Sequence, residues 1–535
     1  MRNISEIDVQ QIDARVYRDY MRHFVQESRS LARTMRAMGL SLEPESAAAR
    51  REGRVASLLA SLEELGARVR NDGKSIVWGA LSPACCRCRT GVRSVSTFIS
   101  LGCTRSCWFC FNSNQCDWDD YRSQRKDWRA ELDAYRKQMG TLDCIALTGG
   151  EPLLFADEAL DFFASARRLS PDAHMRMYTS GDGLTRELLR QLADAGLDEI
   201  RFSVKLDDPE EEQQAVRDMI EASVGVIPSV MVEMPVVPDT HDQMSELLEW
   251  LDRIGVFGVN LLELCFPLHN AQAYASRGLQ LKRNPYRILY DYGYAGALPV
   301  AGSEELALRL MVEQIERGDT MGLHYCSLEN KNTAQLFAQN REGRLKVPHY
   351  RFSPRTFFFE TVRAFGDDAR VLEELMDAAS ETAISSALGA DKETTQGGRR
   401  AREGALEPSD VSDQHGRKTV EGVADLPREL YAMDQTGDMI MFDPALLNVL
   451  GNAGKDLRLF LASAVIDRDE QGRERFREVG LQAMDSADFS RVSNYCNAAD
   501  LDPSFSVAAQ GPSNGEVADD GPSAYATGAK GRTCV

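Results

Sequence analysis

The stretch SVSTFISLGCTRSCWFC, Ser94 to Cys110, decides the fold. Its first eight residues intersperse Val, Thr, Phe and Ile with serines, the composition of a half-buried strand, and the chain then passes Gly102 into a loop with three cysteines. Five runs of similar character follow: CIALTGG, HMRMYTS, EIRFSV, VIPSVMVEMPVV and GVNLLEL. Between them the apolar spacing predicts helices near 125–139, 156–168, 184–195, 209–222 and 242–253. Such alternation predicts a parallel sheet of βαβ units: an α/β protein with a full or partial parallel (β/α)6-type barrel. Sites in these folds sit at the C-terminal ends of strands, where the cysteine loop stands.

Cys103, Cys107 and Cys110 share that loop. Three clustered thiolates suit a cubane iron–sulfur cluster, and three ligands for four irons leave one iron open to a substrate or cofactor. Taken alone, C-x3-C-x2-C also fits part of a zinc site with a distant fourth ligand, or three unrelated buried thiols. The second strand ends in LTGGEPLL. Gly149 and Gly150 let the backbone approach a ligand closely and Glu151 offers an acceptor for an ammonium group, although a Gly-Gly strand end is also an ordinary turn.

Together, the CxxxCxxC loop after the first strand, GGEP at the end of the second and the βα alternation around them resemble the radical S-adenosylmethionine (radical SAM) superfamily. The resemblance covers about Ser94 to Leu264. It implies that Cys103, Cys107 and Cys110 hold a 4Fe–4S cluster whose open iron chelates S-adenosylmethionine. Phe109 matches a position near the adenine, and Gly149, Gly150 and Glu151 match the strand end that meets the methionine ammonium. It also implies reductive cleavage to a 5′-deoxyadenosyl radical that takes hydrogen from a substrate, with an electron donor such as flavodoxin or ferredoxin. Ser180, Ser203 and Lys205 stand where the family usually binds the carboxylate and ribose of the cofactor, and fit helix caps and a solvated lysine equally well. Glu233 in VMVEMPVVP is a tentative catalytic residue: it either faces the barrel interior or pairs with an arginine such as Arg201.

Other cysteines flank this core. Cys85 and Cys88 in SPACCRCRTG have the C-x2-C spacing of a metal chelate, and Cys326 follows His324 in GLHYCSLENK. With Cys265, Cys86 or His324 they make a tentative second site for an iron–sulfur cluster or zinc, against the alternative of buried, redox-silent thiols. Cys116, Cys144, Cys496 and Cys534 are expected to hold no metal.

Around the barrel, assigned to 81–270, residues 1–80 read as a helical N-terminal section and 271–377 as an extension. That extension contains the helix SEELALRLMVEQIERG, opened by Ser303 with Glu304 and Glu305 in its first turn. Residues 378–427 and 502–535 are poor in core formers and read as disordered linker and tail. Between them, 428–501 reads as a small module with two strands joined by a turn at Asp469 to Gly472.

With 535 residues, 43% hydrophobic, the chain has ample material for a sizeable core. A formal charge of −20 argues against a coat for nucleic acid or for an anionic membrane. No uncharged apolar run of about 18 residues occurs and MRNISEIDVQ lacks a signal's apolar stretch, so the chain reads as cytoplasmic. The expected substrate is a peptide or protein, because sections around the barrel exceed what a small-molecule site needs. A small-molecule substrate and a non-catalytic iron–sulfur sensor or scaffold are the competing readings.

Overall fold

Each β-branched run after Ser94 has one face to bury against helices, and together they curl into a barrel wall. The computed structural model describes residues 2–3, 15–114, 117–285, 297–341, 345, 347, 349–378, 430–433, 437–450, 457–469, 471–485, 488–489 and 492. These fall into two units, one within 27–342 and one within 1–26 and 343–503.

The first unit is built on nine strands: β1 (Arg68–Arg70), β2 (Ser75–Trp78), β3 (Ser94–Phe98), β4 (Cys144–Thr148), β5 (His174–Thr179), β6 (Glu199–Phe202), β7 (Ser229–Val236), β8 (Gly258–Glu263) and β9 (Gly322–Cys326). Their order across the sheet is β1-β2-β9-β8-β7-β6-β5-β4-β3. All pairs from β3 to β9 are parallel, whereas β2 runs antiparallel to both β9 and β1. Helices Trp128–Met139, Ala156–Leu169, Arg186–Asp194, Glu210–Ser223 and His241–Ile254 connect β3 through β8, each within a few residues of its expected place.

Two features depart from the sequence reading. GLHYC, placed in the extension after the barrel, is a seventh parallel strand beside β8, with Ser303–Arg317 as the helix before it. SIVW, placed in the helical section, is β2. Strands this short give no measurable period, and only tertiary pairing reveals them. Ser303 also differs, because Gly302 occupies the cap position and Ser303 is the first helical residue. Its buried hydroxyl donates to Val236 O at 2.7 Å and accepts from Leu264 N at 2.8 Å, joining the ends of β7 and β8.

The aliphatic core lies outside the strands. Met175, Met177, Ile200, Phe202, Val230, Val232, Val259, Leu261 and Leu323 alternate outward and pack with helix residues such as Phe162, Leu189, Leu248 and Leu308. By the two-residue alternation of strands, the lumen face carries Arg176, Tyr178, Glu199, Arg201, Glu233, Asn260 and His324. A barrel of this kind is ordinarily packed with Val, Ile and Leu inside. This one has a polar interior.

The second unit contains an antiparallel sheet that includes Phe359–Phe365, Met439–Phe442, Phe460–Arg468 and Glu474–Ala483. Phe359–Phe365, which the sequence grouped with the extension, pairs instead with 460–464, since a strand needs a partner edge. The expected hairpin around Asp469 to Gly472 is present as the pair 460–468 and 474–483. The expected linker beyond Ala378, the tail, Cys116, Cys496 and Cys534 lie outside the described residues. Among the described residues no helix is long and apolar enough to cross a membrane.

Candidate active site at the C-terminal ends of the strands

The cysteine loop leaves β3 and packs at once against the end of β4. Gly150 N donates to Ser100 O at 3.0 Å and Glu151 N to Gly102 O at 2.8 Å. A Cβ on Gly150 would lie 1.8 Å from Gly102 O, and Gly149, at φ +110°, would place one 2.5 Å from the Phe98 Cβ. The two glycines are therefore demanded by the loop's own first turn.

Cys103 is exposed, Cys107 and Cys110 are half-buried, and none is in a disulfide. Burial pushes all three thiols up, and the Lys205 ammonium opposes this at Cys107. The loop is fastened to the loops after β5 and β6. Arg105 holds Asp182 and Asp208, the latter at 2.8 Å, and also meets Glu212, while Trp108 Nε1 donates to Asp207 at 2.9 Å. On its other side, Asn270 donates to Trp108 O at 2.9 Å and Arg277 stacks 4.4 Å over the Trp108 ring.

Three unpaired thiols on a fastened loop fit a cubane cluster. Among the described residues no three His, Cys, Asp or Glu side chains surround one point closely enough for a single ion. A cubane does not ask for that, because each thiolate binds a different iron.

Glu151 is 2% exposed. Its carboxylate accepts from Ser180 N, Ser180 Oγ and Thr179 Oγ1, each at 2.7 Å, and from Leu153 N at 3.1 Å. Burial pushes this carboxylate up, against the pull of those donors. It braces the end of β4 against the end of β5, and Ser180 is engaged in the same brace. Ser203 is exposed and its hydroxyl donates to Glu233 O at 3.4 Å. Beside the cysteine loop a cleft of about 400 Å³ is lined by Trp108, Phe109, Lys205, Met234, Pro235 and Val237, among others. An apolar floor rimmed by Lys205, Arg277, Asp207 and Asp239 suits a purine nucleoside whose tail carries both charges.

Residues 97–251 match the family model of the Radical SAM superfamily. They are a radical SAM domain. The chain thus carries the domain of a superfamily whose members are enzymes that use an iron–sulfur cluster and S-adenosylmethionine. A protein of Methanocaldococcus jannaschii, provisionally named a glycyl-radical enzyme activating enzyme, is 25% identical over 307 residues, 56% of this chain and 78% of the relative. Among solved structures, SuiB of Streptococcus suis bound to its precursor peptide SuiA aligns with a TM-score of 0.33 at 14% identity, covering 54% of this chain and 56% of that one. Coproporphyrinogen III oxidase (HemN) of Escherichia coli aligns at 0.30 and 14%, covering 45% and 57%. The chain thus spans a little over half the length of these two structures, which are too distant to bear on substrate or partner.

Below the cysteine loop, the lumen of the radical SAM barrel is one hydrogen-bonded network. Arg201 donates to Glu199 and Glu233 at 2.5 Å each, to Tyr178 Oη at 3.2 Å and to Ser82 Oγ at 3.0 Å. Of the two alternatives for Glu233, the pairing with Arg201 is present, on the lumen face of β7. Asn260 donates to Glu233 at 2.6 Å, and His324 Nδ1 lies 2.9 Å from Asn260 Oδ1. Arg201, despite burial, is held charged by its anionic neighbours, and Glu233, despite burial, is held below its usual range by Arg201.

The short helix Pro83–Arg87, capped by Ser82, inserts Cys85 into this network. Cys85 Sγ lies 3.3 Å from Arg201 Nη2 and 3.5 Å from Asn260 Nδ2. Burial alone would raise its thiol, but Arg201 and His324 bring it down to about 6. Burial pushes Cys326 up to about 12, and Asn330 Nδ2 donates to its sulfur at 3.2 Å. Burial likewise raises Cys88, Cys144 (to about 11) and Cys265 (to about 12), the last in a short pairing with Pro299. Cys86 is exposed. The sequence reading missed Arg176, Tyr178 and Asn260 in the lumen, and Arg105 and Asp182 as loop fasteners. Arg176 and Tyr178 on β5 and Asn260 on β8 come opposite Glu199, Arg201 and Glu233 only through strand pairing, which no local pattern announces.

Proposed function

We propose that the chain binds a 4Fe–4S cluster through Cys103, Cys107 and Cys110, with S-adenosylmethionine in the cleft beside it, and abstracts hydrogen from a peptide or protein. The observation that carries this is three unpaired thiols on a loop packed on the Gly149-Gly150-Glu151 strand end and bordering a nucleoside-sized cleft. When bound, the cluster and S-adenosylmethionine would supply a radical able to abstract hydrogen, using one electron from a flavodoxin- or ferredoxin-type donor and leaving methionine and 5′-deoxyadenosine.

The chain's own residues position and shield. Phe109 offers a ring to the adenine, and Lys205, beside Cys107, meets the cofactor carboxylate or ribose together with Ser203. Gly149 and Gly150 keep the strand end against the loop, and Glu151 with Ser180 holds the rim that faces the methionine end. The polar lumen, with Glu233 at the reacting face, receives the substrate. A protein substrate agrees with the name of the M. jannaschii relative. The enclosed, charged lumen favours a second reading, a small polar substrate. A non-catalytic sensor has no use for a nucleoside cleft.

The proposal assigns no metal to Cys85, Cys88 or Cys326. Cys85 already takes two N–H donors, and Arg201, Arg176 and Lys331 all lie within charge range of that group of thiols.

The test is anaerobic: reconstitution with iron and sulfide, reduction, addition of S-adenosylmethionine, and measurement of 5′-deoxyadenosine with an iron count. Nucleoside that disappears in Cys107→Ala is expected. Zinc without a cluster would overturn the proposal.

A further inference from the structure

Arg176, in the middle of β5, is 8% exposed and shares the lumen face with Tyr178 and Ser180. Its guanidinium lies 5.4 Å over the Tyr178 ring. Among the described residues it makes no ion pair, and its Nε has no hydrogen-bond partner. The register neighbour Glu199 does not serve it, because that carboxylate is taken by Arg201 at 2.5 Å and His174 at 3.1 Å.

The contrast with Arg201 is sharp. Arg201 is surrounded by Glu199, Glu233, Tyr178, Ser82 and Cys85, whereas Arg176 is the second guanidinium of the same chamber, with no carboxylate against it. A buried charge is costly unless an anion meets it, and a planar fork of donors matches a carboxylate. The chamber is also reachable. Ser203 is exposed at its mouth and Glu233 is 18% exposed in its side chain. Ser96 on the edge strand β3, in register with Ala146 and hence Arg176, is exposed too.

We infer that Arg176 is the anchor for a carboxylate of the substrate, held in the lumen against the guanidinium and the Tyr178 hydroxyl. The inference rests on reading the lumen as the substrate chamber. It narrows the substrate to one that presents a carboxylate: an acidic side chain, a chain terminus or a free acid.

The test uses the purified full chain and two probes, acetate and inorganic phosphate, at constant ionic strength against chloride. An anion that binds only the folded protein raises the melting temperature along a saturating curve, by about 2–5 °C at a large excess over its dissociation constant. General salting effects climb without saturating. The expected result is a saturable acetate shift that Arg176→Gln abolishes and Arg176→Lys partly keeps. Should Arg176→Gln not fold, Arg176→Lys decides: a reduced acetate shift supports the assignment and a shift equal to wild type overturns it. No saturable shift, or one unchanged in Arg176→Gln, would overturn the inference, and saturation by phosphate alone would overturn the carboxylate assignment. The readout needs neither cluster nor turnover. An intact acetate shift without 5′-deoxyadenosine production would sink the proposed function and leave the anion site standing.

Discussion

Arg105 grips Asp182 with two parallel hydrogen bonds, Nε to Oδ2 at 2.7 Å and Nη2 to Oδ1 at 2.5 Å. The arginine stands between Cys103 and Cys107, the aspartate in the loop after β5, so the pair fixes where two of the three thiols stand. Asp182 is held below its usual range chiefly by its hydrogen bond from Arg105. Arg105→Ala removes a part-buried, bidentate charged contact, for which solvent screening leaves about 1 kcal/mol of loop ordering. The expected outcome is faster loss of iron to a chelator from the reconstituted protein, with Arg105→Lys intermediate. Equal iron release from Arg105→Ala and wild type would show that the clamp does not position the thiols.

Glu151 gives a second prediction, because its carboxylate accepts four donors within the chain. Glu151→Ala leaves Thr179, Ser180 and Leu153 with buried, unmet donors, each worth roughly 1–3 kcal/mol before water or rearrangement recovers part. The expected result is a marked fall in unfolding free energy of apo protein in a denaturant titration. If Glu151→Ala is as stable as wild type, the carboxylate is not a brace.

Two glycines separate steric demand from helix propensity. Gly150→Ala cannot be placed, since its Cβ would meet Gly102 O at 1.8 Å between two backbones. That variant is expected to lose iron binding or solubility. Gly53, in the helix Glu45–Glu64, has nothing within 4 Å of where a Cβ would stand, so Gly53→Ala is expected to stabilise by about 0.5–1 kcal/mol. Circular-dichroism melts and iron counts on both variants check the pair.

The six barrel strands and five connecting helices were legible because each is long enough for its period to register and each strand end carries turn residues. The cysteine loop was legible from spacing. What the sequence hid is instructive. β2 is four residues and β9 five, and they pair with each other from opposite ends of the first unit's sequence, Trp78 with Leu323 and Ser75 with Cys326. NDGK between β1 and β2 did carry a hairpin signal, with Asn71, Asp72 and Gly73 all at positive φ, and the helical pattern before it masked that signal. Glu151 reads as a ligand for an ammonium group because its four donors come mostly from the next strand, which no local pattern announces. Arg201 and Glu233 were seen singly. Their common chamber needed the barrel to close.

The same chamber sets an acid response. Burial alone would raise the Glu199 carboxyl, but hydrogen bonding with His174, the charge of Arg201 and Ser82 bring it down to about 2. In the unfolded chain it titrates near its ordinary value, about 4.3. The folded value is the lower one, so Glu199 contributes stability that is fully present above about pH 4.3 and is lost as pH falls toward 2, at a slope near 1.4 kcal/mol per pH unit within that window. Glu199→Gln is expected to be less stable than wild type at pH 7, because Arg201 loses one of its two carboxylates. Between pH 4.5 and 3 its stability is expected to fall less steeply, the two proteins converging as acid removes what the mutation already removed. Urea titrations of both proteins at pH 7, 4.5, 3.5 and 3 give the comparison. Parallel acid slopes would mean that Glu199 takes up its proton in the folded protein as readily as in the unfolded chain, and that the lumen network does not hold it ionised.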